Sequence, residues 1–251
     1  MERDSNNSPS APLRDEATST DNRLIWAGLF LCMALFAKVP QLDLMVAARY
    51  FTPTQGFVHA QDPVVRALYD WTPVVGRTIL AALAVFAAMA PWVARALRAR
   101  HDAWAQQCAG PWRRAAIVAV LCGVLGPGLV IEVWFKNTVG RPRPVQVEQF
   151  GGDQVFHGAF EHGPNTDNHR SFVSSHAAAG FWLMSLGLTC APVWRRRWLL
   201  IGLVTGGIIG AGRMLQGGHF FSDIIFSFYA VWVSCEIIVL LDRRWQQRAP
   251  S

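Results

Sequence analysis

Residues 115–135 read AAIVAVLCGVLGPGLVIEVWF, with a single charge at Glu132, and Lys136 follows at once. An apolar run of about 20 residues is the length an α-helix needs to cross the hydrocarbon core of a bilayer. Working outward from it, comparable runs cover residues 24–37, 73–94, 176–193, 198–212 and 224–241. The chain of 251 residues is 52% hydrophobic and only 16% charged, with mean hydropathy +0.22. Soluble domains carry about 25% charged residues, so that class is excluded, and disorder fails on the same composition. Five cysteines in a chain of this length exclude a disulfide scaffold. Strand-like alternation is missing, which argues against a membrane barrel. The expected fold is therefore all-α, a polytopic bundle of six transmembrane helices. The Gly-rich run with Gly202, Gly206, Gly207, Gly210 and Gly212 is expected inside the bundle, because small residues let helices approach closely in lipid.

Charge sets an expected orientation. With the N-terminus inside, 14 of the 23 Lys and Arg residues fall in cytoplasmic segments and 9 outside, in keeping with the positive-inside bias. Both termini are then cytoplasmic. Residues 1–22 are Ser-, Asn- and Asp-rich and are expected as a disordered tail, residues 23–242 as the membrane domain and residues 243–251 as a short basic tail. Residues 39–51 look partly amphipathic, with Leu42, Met45 and Val46 against Asp43 and Arg49, and are expected at the interface. Pro127 reads as a tolerated kink.

The cations on the outer face carry the chemistry. Lys136, Arg141 and Arg143 sit just past the third apolar run and Arg213 at the end of the fifth; His176 opens the fourth, and His219 and Asp223 precede the sixth. All map to one membrane face, where cations, two imidazoles and a carboxylate at one depth suit an anionic substrate. Their spacing is Lys136, six residues, Arg143-Pro144; then Ser171-Phe172-Val173-Ser174-Ser175-His176; then Gly212-Arg213, five residues, His219, three residues, Asp223.

This pattern closely resembles the tripartite signature of the type 2 phosphatidic acid phosphatase family, which shares its site with vanadium haloperoxidases. Val173, Ser175 and Gly212 depart from the family's Pro, Gly and Ser. The resemblance implies a metal-independent, cofactor-free lipid phosphatase whose catalytic residues are His219 as nucleophile, His176 as general acid and Asp223 as the orienter of His219. It implies a phosphate pocket of Lys136, Arg143, Ser174, Ser175 and Arg213. A lipid phosphate monoester or pyrophosphate is the expected substrate: phosphatidic acid, phosphatidylglycerol phosphate, lipid A or a polyprenyl phosphate. The run Gln216-Gly217-Gly218-His219-Phe220 leans toward bacterial members associated with lipid A, in the inner membrane with the site facing the periplasm. A lipid-to-lipid phosphotransferase and a non-catalytic lipid-binding protein are the rival readings. No nucleic-acid partner is expected. His157, His162, His169, Glu161 and Asp167 in the outer loop do not match a regular zinc spacing. Glu132 stands four residues before Lys136, a helical spacing that allows a pair. Glu236 is an intramembrane charge, expected in a structural role, and Arg77 is a candidate for a lipid headgroup or an interfacial anchor.

Overall fold

The computed structural model describes residues 12–163 and 166–248. The chain is nearly all helical. Helix α1 (Pro12–Lys38) leads, across an 87° bend at Pro40, into the short α2 (Gln41–Ala48). A two-residue hairpin, β1 (Phe51–Thr52) and β2 (Gly56–Phe57), pairs antiparallel and turns through Gly56 at φ 71°. Long helices follow: α3 (Pro63–Leu97), α4 (Asp102–Thr138), α6 (Pro192–Leu215) and α7 (Phe221–Arg248), with the short α5 (Ser175–Phe181) before α6.

Local chemistry explains several boundaries. Asp62 caps α3, accepting from the amides of Val64 at 2.9 Å and Val65 at 3.3 Å, and Pro63 fills the first helical position, where its missing N–H costs nothing. Pro192 opens α6 in the same way. Pro127 does not break α4: the helix widens to π geometry over Val124–Phe135 and runs on. The small-residue face of α6 is buried at Gly202, Gly206 and Gly210, as expected. A side chain at Gly206 would collide with the Phe181 ring, and one at Gly180 with the Gly206 backbone. Gly207, in contrast, faces open space.

Among the described residues, four helices (α3, α4, α6, α7) are long and apolar enough to cross a membrane, five if the bent α1–α2 pair is one span. The fourth expected span, residues 176–193, is not one continuous α-helix. Helix α5 has 7 residues and passes into a 3₁₀ stretch of 6, Trp182–Gly187, giving about 22 Å against about 30 Å of hydrocarbon. Helix α1 begins at Pro12, inside the stretch read as disordered, whose residues 1–11 lie outside the described ones. Helix α7 continues to Arg248, because Arg243 and Arg244 are good helix formers and nothing there ends it.

Burial grades across the bundle. The most apolar window of α7 is 61% buried and that of α3 only 6%. Helix α7 is thus the central post, packed on Trp182, Phe181 and Val118, and α3 stands at the edge with Trp71, Val75 and Val85 exposed. A second small core of Ala47, Phe57, Val147, Phe150 and Phe220 sits under the loops at the end where α4, α6 and α7 bring their charged residues together.

Candidate active site

Helix ends and the loops between them build the site. Lys136 lies in the last turn of α4, Ser174 caps α5, Arg213 lies in the last turn of α6, and His219 precedes α7, whose first turn carries Asp223. Lys136, Ser174, Arg213, His219 and Asp223 are buried, and Arg143, Ser175 and His176 are half-buried.

Asp223 is the most completely bonded of them. Its Oδ2 accepts from Ser171 Oγ at 2.6 Å and from the Phe220 amide at 2.9 Å, and lies 3.4 Å from His219 Nδ1. Its Oδ1 accepts from Arg141 Nη1 at 2.6 Å. The four-residue spacing read from the sequence thus does place imidazole and carboxylate together. With Nδ1 turned to the carboxylate, Nε2 of His219 is the nitrogen left for chemistry. Burial holds the His219 pKa down to about 3, with Lys136 and Arg213 adding to the effect and Asp223 opposing it. The ring is neutral at physiological pH.

His176 lies against the other side of the site. It stacks on Tyr69 with centroids 4.8 Å apart and planes 17° from parallel, and the Arg213 guanidinium carbon sits 4.5 Å from the centroid of the same Tyr69 ring. Burial lowers the His176 pKa to about 4, helped by Arg213, Lys136 and Arg143, so all three cations converge on this imidazole. The resting site therefore holds two neutral imidazoles. Among the described residues, neither Nε2 of His176 nor Nε of Arg213 finds a hydrogen-bond partner, although both are buried. Buried polar atoms are nearly always paired, and here the two lie on the same cationic side.

The remaining residues are arranged around these. Lys136 Nζ donates to the carbonyl oxygens of Arg170 and, at 3.5 Å, of Ser171. Arg213 Nη1 donates to Gln216 Oε1, and Gln216 in turn reaches the Val65 carbonyl at 3.4 Å. A side chain at Gly218 would press on the Arg213 guanidinium, which lies close over the glycine. Ser174 Oγ accepts from the Ala177 amide at 3.4 Å. The first backbone bond of α5, Ala178 N to Ser174 O at 3.0 Å, leaves the amides of Ser175 and His176 ahead of it.

The Gly212 departure lies away from this chemistry, since a side chain there would meet Leu68 of α3 at ordinary contact. Glu132 pairs with Arg170 at 3.7 Å. Glu236 pairs with Arg195 at 3.3 Å and accepts from Asn22 at 3.0 Å, tying α1, α6 and α7 together at the far end. A cavity of about 430 Å³ opens beside His176 between α3 and α4, lined by Thr72, Gly76, Arg77, Glu132, Ser175 and Trp182. Among the described residues, no group of three or more His, Cys, Asp or Glu is placed to hold a metal ion.

Sequence reasoning passed over four residues here. Arg141 was counted only as an outer cation, Ser171 stood inside the quoted motif without a role, and Asp43 was read as the wet face of an interfacial helix. Tyr69 gave no signal, since an aromatic residue in a membrane helix is ordinary.

Comparison with known proteins returns one family model, described as the PAP2 superfamily, over residues 115–247. The chain is 40% identical over 136 residues to a protein named lipid A 4'-phosphatase from Francisella tularensis subsp. novicida, covering 53% of this chain and 60% of that one. It is 32% identical over 141 residues to a lipid A 4'-phosphatase from Rhizobium leguminosarum, covering 55% and 60%. The chain thus spans about 60% of the length of these relatives. No solved structure matches.

Proposed function

The chain belongs to the PAP2 superfamily, and on that premise we propose that it is a membrane lipid phosphatase that removes a phosphate monoester from lipid A. The observation that carries the reading is the His219–Asp223 pair, 3.4 Å apart, with Lys136, Arg213 and Arg143 around it and the apolar cavity beside His176. Such a site suits a phosphate borne on a body with acyl chains. The names of the relatives supply the lipid.

In this reading Lys136, Arg143 and Arg213 hold the phosphate oxygens, with the amides at the start of α5. Nε2 of His219 attacks phosphorus, the P–O bond to the lipid breaks, and His176 gives its proton to the departing oxygen. Asp223 stabilises the imidazolium character on His219. A water then attacks the phosphohistidine, His176 takes its proton, and the P–N bond breaks to release inorganic phosphate. His176 is neutral in the resting site, so its proton is acquired with the substrate. A bound phosphate dianion offsets the three cations that hold the imidazole down. Three cations also neutralise the phosphoryl charge without a divalent ion. The proposed orientation puts the site at the periplasmic face of the inner membrane with both termini inside, in line with the cation bias.

The test is phosphate release by the purified full chain in detergent from lipid A, phosphatidic acid, phosphatidylglycerol phosphate and undecaprenyl pyrophosphate. Release should be fastest from lipid A, survive excess EDTA and be inhibited by vanadate. Retention of these lipids without release from any of them would make the chain a lipid-binding protein instead.

A further inference from the structure

The carboxylate that orients His219 is itself held from behind. Arg141 is wholly buried, and its fork spans two carboxylates: Nη1 donates to Asp223 Oδ1 at 2.6 Å and Nη2 to Asp43 Oδ2 at 2.8 Å. Its Nε donates to the His157 carbonyl at 2.9 Å, and its guanidinium carbon lies 4.4 Å from the Phe220 ring centroid. Asp43 is also wholly buried and receives donors only: Arg141 Nη2, the Ser222 amide at 2.8 Å and Ser222 Oγ at 2.6 Å. Arg141 Nη2 and the Ser222 amide can only donate, which favours the charged carboxyl against the burial that disfavours it. Ser222 Oγ meanwhile accepts from Arg141 Nη1 at 2.8 Å, closing the network.

From this geometry we infer that Arg141 and Asp43 are positioning residues for the His219–Asp223 pair: Arg141 fixes which oxygen Asp223 presents to the imidazole, and Asp43 sets how much of the Arg141 charge the pair feels. The inference rests on the reading of His219 as the nucleophile. Its physical content is a balance of charge. Arg141 alone would leave Asp223 heavily neutralised and weaken its support of an imidazolium. Asp43, on the far side of the same guanidinium, takes up part of that charge. Because Asp43 lies in α2, the balance also ties the segment past the 87° bend to the site. Other charges face the pair as well: Lys136 from the end of α4 acts on both His219 and Asp223, and Arg213 from the end of α6 acts on His219. These stay constant in the variants below.

The two residues should therefore move the His219 titration in opposite directions. A staple that only holds the fold would lower activity at every pH and move nothing. The experiment is the pH profile of kcat/KM, from pH 2 to 9, for the full-length chain in detergent with short-chain phosphatidic acid as probe. The acid limb reports protonation of the free enzyme's nucleophile. Asp43→Asn removes a negative charge and should shift that limb to lower pH by roughly one unit, and Arg141→Gln should shift it to higher pH by a similar amount. Arg141→Lys keeps the charge without the fork, so its limb should stay near wild type while kcat falls.

If Arg141→Gln fails to fold, the near-isosteric Asp43→Asn decides alone. An unmoved limb in a variant of wild-type thermal stability overturns the inference. Equal loss by both variants with unmoved limbs does the same. His219→Ala is run beside them, because near-normal turnover in that variant would sink the nucleophile assignment itself, whatever the limbs do.

Discussion

The two imidazoles of the site sit in opposite kinds of surroundings. Around His219 and Asp223 nearly every polar atom is spoken for: Ser171, the Phe220 amide, Arg141, Ser222 and Asp43 form a continuous buried network. Around His176 and Arg213 both side chains lean on the Tyr69 ring, Arg213 also on Gln216, and Nε2 of the one and Nε of the other lack partners among the described residues. A buried network satisfied in advance costs nothing to organise during reaction, which is how a carboxylate keeps a nucleophile aimed. An unpaired buried guanidinium N–H, such as Nε of Arg213, is costly until an anion meets it. In the proposed reading one half stays as it is, and the other is completed by substrate.

Substitutions can break each half separately. The largest effect is expected in the paired half: His219→Ala should abolish turnover and covalent phosphate capture together, and Asp223→Asn should cost about 10²–10⁴ in kcat with the fold retained. Both are read from phosphate release beside thermal unfolding of the purified variants. In the unpaired half, His176→Ala should cost roughly 10²–10⁴ on an alkyl phosphate. It should cost far less on an aryl phosphate, whose leaving group needs little protonation, and there acid-labile phosphoenzyme should accumulate. Equal losses on the two substrates would remove His176 from leaving-group protonation. Tyr69→Leu takes away the shared ring under His176 and Arg213. A stack on a ring 41% exposed contributes about 1 kcal/mol, a rise in KM of roughly fivefold with kcat little changed.

Much of this division was legible in the sequence, and the part that was not has a physical reason. The His219–Asp223 spacing is one helical turn, a local relation that a linear motif records, and the cations at helix ends follow from where apolar runs stop. The contacts between Asp43 and Ser222 join residues 179 apart, and no local pattern announces them. Asp43 lies on a helix with apolar neighbours, and the same amphipathic pattern describes a helix wet by solvent and one bound to a buried arginine. The break in the fourth apolar run has a similar origin. Residues 176–193 are apolar enough for a span, but apolar composition does not distinguish an α-helix from a short helix that tightens to 3₁₀ over Trp182–Gly187 and stops before Pro192. Gly202 and Gly206 were read correctly because a small-residue stripe has one main use between packed helices.

A subtler effect is expected from pH on stability. Both imidazoles have native pKa values, about 3 for His219 and about 4 for His176, below the ordinary value of 6.5. Below pH 6.5 the unfolded chain therefore binds protons that the native chain does not, so stability is full above about 6.5 and falls as pH drops toward 4. Each such proton contributes about 1.4 kcal/mol per pH unit in that window. The slope, read from thermal unfolding in detergent, should become shallower in His219→Gln and in His176→Gln by about one proton each. An unchanged slope in both variants would mean that neither imidazole is held neutral.

The most direct measurement is the position of the covalent phosphate. Wild-type protein mixed with labelled aryl phosphate and quenched in base within the first turnover should carry an acid-labile, base-stable phosphate, and peptide mapping should place it on His219. Label on His176 would exchange the two roles. A chain that turns over but carries no phosphohistidine at any quench time would contradict the nucleophilic mechanism altogether.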